Sequence, residues 1–214
     1  GALVWAFWPE IRSRIRDLQT AWQHKNVVEE VTIPSTNEPD AADKDGKEAH
    51  PHRVSFQGSD LDLLVYDEVH LPTSFDSELF LAALEENPLP PGASVLVIGS
   101  GSGVDAIAAA RQGARGDAID RGSRAVANTA LNVDRHDLTD QIRVFQHDGL
   151  EGLGSYDVIL WNAPEPTTEV IDPTAEIDPV RLQHIIHAIP EHLTPGGYAL
   201  FRISPHNLYW KVFF

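Results

Sequence analysis

The chain has 214 residues, with 32 Asp and Glu against 16 Lys and Arg, a formal net charge of −16. That length and a 42% hydrophobic fraction suit one full-sized domain with a small extension, and exclude a wholly disordered chain. With no Cys there is no disulfide, thiolate metal site or Cys nucleophile, and the acid excess argues against binding nucleic acid chiefly through charge. Methionine is absent as well, which a chain of this length seldom shows.

No apolar run approaches the roughly 20 residues that a membrane span needs. Residues 1–8 are apolar but follow no basic stretch and end at Pro9, so they do not read as a signal peptide. A soluble, cytoplasmic protein with no membrane partner is expected. The first element is a helix over 9–24, because Trp8, Ile11, Ile15, Leu18 and Trp22 recur on one face. Residues 34–52 carry almost no large apolar group and read as an acidic linker, with His50 and His52 solvated in it.

Runs at 53–57 and 61–69 flank Gly58-Ser59-Asp60 in the pattern of a β-hairpin. A helix over 74–86 carries Asp76 and Glu78 early, where acids favour the positive end of the dipole. From Pro90 onward the chain alternates. Strands are expected at 94–98, 116–120, 142–146, 156–161 and 198–203, and helices at 104–112, 123–133 and near 179–189. Pro195-Gly196-Gly197 reads as a turn, and 208–214 is strand-like. This alternation predicts an α/β fold, a doubly wound and mostly parallel sheet with helices on both faces. Residues 1–72 then form a small extension and 73–214 the main domain.

In such sheets ligands bind beyond the carboxyl ends of the strands, where the strand order reverses. The 94–98 strand runs straight into Gly99-Ser100-Gly101-Ser102-Gly103, whose glycines let the backbone turn sharply and approach a ligand. Asp120, followed by Arg121, ends the next strand, and a carboxylate there suits the two hydroxyls of a ribose. A tight turn beside a solvated Asp would look the same in isolation; the strand before and the helix after favour a ligand site. Val104 stands where a dinucleotide fingerprint wants its third Gly, which disfavours NAD, and no phosphate-loop motif is present. Gly101 stands where a nucleophile elbow needs Ser. His184 and His187, with Glu191 and His192 beyond, are not joined by further ligands, so no metal is expected.

The run Val95-Leu96-Val97-Ile98-Gly99-Ser100-Gly101-Ser102-Gly103, followed by Asp120, resembles the first two motifs of class I S-adenosylmethionine-dependent methyltransferases. His147-Asp148-Gly149 resembles the place where an acid contacts the adenine amino group. The segment from Tyr156 to Asn162-Ala163-Pro164-Glu165 resembles the fourth strand and Asn-Pro-Pro-aromatic motif of amino-methylating members. Phe75-Asp76-Ser77-Glu78-Leu79 resembles a helix start in the release-factor glutamine and small-domain rRNA guanine methyltransferases. The resemblance covers about residues 70–203.

It implies a Rossmann-like methyltransferase fold, S-adenosylmethionine as cofactor, S-adenosylhomocysteine as its product, and methyl transfer to a nitrogen. Gly99, Ser100, Gly101 and Gly103 would cradle the amino acid end, Asp120 the ribose and Asp148 the adenine, with Arg121 and Asn162 also at the cofactor. Asn162 and the Ala163 carbonyl, followed by Pro164 and Glu165, would orient the acceptor. Family members often carry an acid where Val97 stands, so backbone groups or Asp76 would hold the cofactor's amino end. Glu165 replaces the aromatic that stacks on a planar substrate, which favours a cationic or polar amine over a nucleobase. An acidic loop with Asp172, Glu176 and Asp178 borders the acceptor side.

Only four residues separate Ile203 from Leu208, too few for the helix and strand that usually follow, so a truncated or interrupted end is expected. A protein or small-molecule acceptor is preferred to RNA because of the charge. The alternatives are a catalytically degenerate cofactor-binding partner subunit and an rRNA guanine N-methyltransferase.

Overall fold

The computed structural model describes residues 48–163, 179–203 and 208–213. The helix expected over 9–24, most of the acidic linker, and the segment holding Pro164, Glu165 and the acidic loop lie outside these residues. Two strands come first, β1 (Ala49–Phe56) and β2 (Ser59–Tyr66), paired antiparallel with Phe56 opposite Ser59. The connection is therefore just Gln57-Gly58, at φ 50° and 71°. Positive φ at both central residues matches the right-handed twist of the two strands. β1 begins earlier than expected: Ala49, His50, Pro51 and His52 belong to it and not to the linker. Ala49 is buried and His52 half-buried, and burial holds the His52 imidazole below its ordinary pKa. Low apolar content hid this edge strand because its pairing is made by backbone.

Helix α1 (Phe75–Glu86) starts at Ser74, whose side chain accepts from the Ser77 amide, and it carries Asp76 and Glu78 in its first turn. The alternating part follows: β3 (Ser94–Ile98), α2 (Val104–Arg111), β4 (Arg115–Asp120), α3 (Ser123–Arg135), β5 (Ile142–Gln146), β6 (Tyr156–Asn162), α4 (Pro179–Ala188), a 3-10 turn (Ile189–His192), β7 (Leu193–Ile203) and β8 (Leu208–Phe213). The sheet order is β5-β4-β3-β6-β7-β8, parallel except for β8, which lies antiparallel on β7 with Leu208 opposite Ile203. The doubly wound α/β sheet expected from the alternation is the one that forms.

Strand composition explains the layering. Val95 and Val97 of β3 join one core cluster with α1, α2, α3 and the inward face of the hairpin (Val54, Phe56, Leu61, Leu63, Val65). Leu96 and Ile98 join the other, with Ile185 of α4 and Ile189. β6 repeats the pattern, Val158 and Leu160 on one face, Ile159 and Trp161 on the opposite one. Such unbroken apolar strands are buried on both faces, and each fully buried Leu or Ile contributes about 1.5–3 kcal/mol.

Pro195-Gly196-Gly197 is not a turn between elements but part of β7. Gly196 sits at φ 83°, and the β6–β7 register shifts between Tyr156 and Val158. A bulge asks for the same residues as a turn, which explains the difference. A Cβ on Gly197 would come within 2.9 Å of the Asp157 carbonyl oxygen, so the backbones approach too closely there for any side chain. Among the described residues no helix is long and apolar enough to cross a membrane.

Candidate active site

The order of strands reverses between β3 and β6, and their register sets Ile98 beside Trp161. Gly99 and Asn162 therefore leave the sheet side by side, the arrangement in which doubly wound sheets bind ligands. The Gly-rich loop is held by the Ser100 amide donating to the Ile119 carbonyl at 3.0 Å and the Gly103 amide to the Ser100 carbonyl at 2.7 Å. Gly99, Gly101 and Gly103 have φ of 67°, 53° and 87°, a region costly for residues with a Cβ. A Cβ on Gly99 would meet nothing within 4 Å, and one on Gly101 only the Gly99 carbonyl oxygen at 4.0 Å. These two glycines face open space. Gly103 is different: its Cβ would lie 3.2 Å from Thr129 Cα and 3.3 Å from Thr129 Cγ2. It lets α2 and α3 close on each other and takes the packing role of the missing third glycine.

Asp120, half-buried at the tip of β4, accepts from the Gly101 amide on one oxygen at 3.1 Å and from the Gly122 amide on the other at 2.9 Å. Each carboxylate oxygen accepts more than one donor, so the pair both fixes the loop and remains suited to a diol. Three polar residues of α3 that sequence inspection missed complete the support. Asn128, Thr129 and Asn132 are fully buried. Thr129 donates to the Gly101 carbonyl at 2.9 Å, and its hydroxyl lies 2.8 Å from Ser100 Oγ. Asn132 donates to the Ser102 carbonyl at 2.8 Å and accepts from the Leu64 amide at 2.9 Å. Asn128 accepts from the Tyr66 amide at 3.1 Å, and both Asn side chains donate to the Leu64 carbonyl at 2.7 Å. The signal was present as two Asn at i and i+4 on the buried face of an amphipathic helix.

Asp148 lies just beyond β5 and pairs with both terminal nitrogens of Arg181 on α4, one of them at 3.0 Å. Burial and the neighbouring Arg121 hold the Arg181 guanidinium below its ordinary pKa, while Asp120 acts the other way. The Arg121 carbonyl accepts from Gln146 at 2.7 Å.

Beside Asn162 and Ala163, Arg202 of β7 dominates, a residue passed over in the sequence. Its Nε donates to Asn162 Oδ1 at 2.7 Å and its Nη2 to the Ala163 carbonyl at 3.3 Å, while Nη1 lies 2.9 Å from Asp76. The Ala163 amide donates back to the Arg202 carbonyl at 3.2 Å. Arg202 is 2% exposed. Asp105, in the first turn of α2, is buried as well; burial pushes its carboxyl up to about 7, and Arg202 opposes that rise. A single Arg inside the otherwise apolar run Tyr198-Ala199-Leu200-Phe201-Arg202-Ile203, and an Asp inside an Ala-rich helix, were the available signals.

The structure thus joins Asp76, Asn162 and Ala163 through one guanidinium, gathers Ser100, Gly101 and Asp120 around the loop, and sets Asp148 and Arg121 about Arg181. Pro164 and Glu165 lie outside the described residues. The loop fits an adenosyl cofactor: open space above Gly99 and Gly101 that side chains would fill, and a carboxylate fixed at the neighbouring strand tip.

The release factor glutamine methyltransferase of Geobacter sulfurreducens is 29% identical over 165 residues, 67% of this chain and 56% of that protein. The ribosomal protein L11 methyltransferase of Desulfitobacterium hafniense is 38% identical over 91 residues, 42% of this chain and 29% of that protein. The chain spans little more than half of the first relative and under a third of the second. Among solved structures, the 16S rRNA N2 G1207 methyltransferase of T. thermophilus, in complex with AdoMet and guanosine, shares the fold. Its TM-score is 0.58 at 22% identity, covering 72% of this chain and 41% of that one. The pattern of the methyltransferase small domain matches residues 71–212, two thirds of the sequence, and the chain belongs to that family.

Proposed function

We propose that the chain transfers a methyl group from S-adenosylmethionine to a nitrogen of a protein side chain or small metabolite, using residues 73–214 as the catalytic domain. The observation that carries this reading is the Asp120 carboxylate, bonded to the Gly101 and Gly122 amides beside a loop open above Gly99 and Gly101. When bound, the cofactor supplies a sulfonium methyl as the electrophile. The protein's part is positioning, which can lower such a barrier by about 7–11 kcal/mol. Asp120 takes the ribose hydroxyls, the loop from Gly99 to Gly103 with Ser100 takes the amino acid end, and Asp148 with Arg121 borders the adenine. Asn162 Oδ1 and the Ala163 carbonyl face the acceptor's N–H groups.

Asp76 is engaged by Arg202, so backbone groups of the loop are the better holders of the cofactor's amino end. The net charge of −16 favours a protein or small-molecule acceptor over RNA. The absence of Cys fits a reducing compartment such as the cytoplasm.

Calorimetric titration with S-adenosylhomocysteine, with NAD as control, tests this. Micromolar binding is expected, weakened about 10-fold to 100-fold in Asp120→Ala, since a hydrogen bond to a charged group is worth about 1.5–3 kcal/mol. Failure of the folded protein to bind S-adenosylhomocysteine overturns the reading. Binding without methyl incorporation from labelled cofactor into any protein or metabolite fraction favours the degenerate partner subunit, for which the engagement of Asn162 and Ala163 by Arg202 already speaks.

A further inference from the structure

Asp105 is the only acid of α2, and it stands in the first turn of that helix, just beyond Gly103 of the glycine loop. It is 5% exposed, between the buried Val104 and Ala106. Its Oδ1 is sealed from solvent and has no hydrogen-bond partner among the described residues. Arg202 acts on it through charge and not through a hydrogen bond. That guanidinium gives its Nε to Asn162 Oδ1 and its Nη2 to the Ala163 carbonyl, and Asp76 lies 2.9 Å from its Nη1. A buried carboxyl that lacks a donor is unfavourable, and most so when ionised, unless a group from outside the chain supplies the donor. We propose that Asp105 is a binding residue of the cofactor site, whose carboxylate receives the α-ammonium of S-adenosylmethionine as its missing donor and counter-ion. The proposal rests on the methyl-transfer reading above and adds a residue to which that reading gave no part.

Position and charge both select an ammonium. In an α-helix the Cα–Cβ bonds tilt toward the N-terminus, so the Asp105 side chain leans back toward the loop that takes the amino acid end. A carboxylate only accepts, and an ammonium only donates, with three hydrogens to place. Backbone carbonyls of the loop can accept from the same ammonium, but they leave its charge unmatched. Asp76 already faces Arg202. Asp105 is the acid beside the loop that has no donor of its own. The charged groups around it are Arg202 of β7 and, paired with that guanidinium, Asp76 of α1. Without a ligand, burial pushes the Asp105 carboxyl up to about 7. An ammonium beside it favours the ionised form, as any close opposite charge does. At a pH below that value the carboxyl gives up its proton when the cofactor binds, and affinity rises with pH until the free carboxyl is ionised.

A calorimetric cycle on the full chain tests this with two ligands and two proteins. The ligands are S-adenosylhomocysteine and its desamino analogue, in which hydrogen replaces the amino group; the proteins are the wild type and Asp105→Asn. The wild type is expected to bind the desamino analogue about tenfold or more weakly, the loss of a charge-assisted hydrogen bond. Asp105→Asn keeps the shape of the side chain and should bind the two ligands within about threefold of each other. Titrations with S-adenosylhomocysteine in buffers of different ionisation heat count the protons. The wild type should release about one per site near pH 6 and almost none near pH 8, and Asp105→Asn none at either. Equal affinity of the wild type for the two ligands overturns the proposal. So does a preference that survives undiminished in Asp105→Asn, or a proton release from that variant as large as the wild type's. If S-adenosylhomocysteine fails to bind the folded wild type, it is the methyl-transfer reading that falls, and this proposal with it.

Discussion

Asp105 is the carboxyl whose burial weighs most on the stability of the site. It is 5% exposed, and its Oδ1 has no hydrogen-bond partner among the described residues. Burial lifts its pKa from 3.8 to about 7, with Arg202 pulling the other way. Because the folded value exceeds the unfolded one, the folded protein holds more protons than the unfolded chain between those two values. Stability therefore falls as pH rises through that window and levels off above it. Asp105→Asn keeps the shape and removes the titration. It is expected to stabilise the protein relative to wild type by about 2–3 kcal/mol more at pH 8 than at pH 5, read as a gap in urea midpoints that widens with pH. A gap of constant size would mean that Arg202 keeps Asp105 ionised at an ordinary pKa. In the sequence Asp105 looks like an ordinary acid at a helix start, complementing the dipole, and the Ala-rich run around it was the sign that it is buried. Its burial depends on α2 being covered from both sides.

At the scale of elements, α3 links the hairpin to the glycine loop. Asn132 alone satisfies the Leu64 amide and the Ser102 carbonyl and shares the Leu64 carbonyl with Asn128. Asn132→Ala leaves these buried backbone groups without that partner, each at about 1–3 kcal/mol, and is expected to lower stability by about 2–4 kcal/mol in denaturant melts. Gly103→Ala acts on the same contact from the other side, through a Cβ 3.2 Å from Thr129 Cα at a φ of 87°. The variant should fold and lose S-adenosylhomocysteine affinity about tenfold or more, since only a shift of α3 relieves the clash and α3 anchors the loop. Retained affinity in a folded variant would show that the loop tolerates that shift. The elements themselves were legible because β3 and β6 are short apolar runs and the Ala-rich α2 ends at a glycine. Failures came where one composition serves two geometries. Pro195-Gly196-Gly197 suits a turn or a bulge, and the polar Ala49–His52 stretch suits a linker or an edge strand, so tertiary pairing decided both.

For the molecule as a whole, the meeting of the glycine loop with Asp120 was legible and the cluster gathered by Arg202 was not, for a reason of chain distance. Gly99 to Gly103 and Asp120 lie within one strand–helix–strand unit, so their meeting follows from local connectivity. Asn162, Arg202, Asp76 and Asp105 come from four elements, and only the sheet order brings them together. The ion pairs of the described residues bear on the choice between protein and RNA acceptors. Arg53 pairs with Asp62, Arg124 lies near Glu68, Arg143 pairs with Asp117, Arg181 with Asp148 and Arg202 with Asp76. These cations are committed to the chain's own carboxylates, which leaves them poorly placed to displace counterions from a phosphate backbone. A short ribosomal RNA hairpin, titrated by fluorescence anisotropy at about 50 and 200 mM salt, should therefore bind no tighter than non-specific complexes do, about 10⁻⁴–10⁻⁶ M, with a shallow salt slope. Nanomolar affinity falling steeply over that range would mean that a basic face is assembled from residues other than these. It would move the acceptor from protein or metabolite to RNA while leaving the cofactor assignment intact.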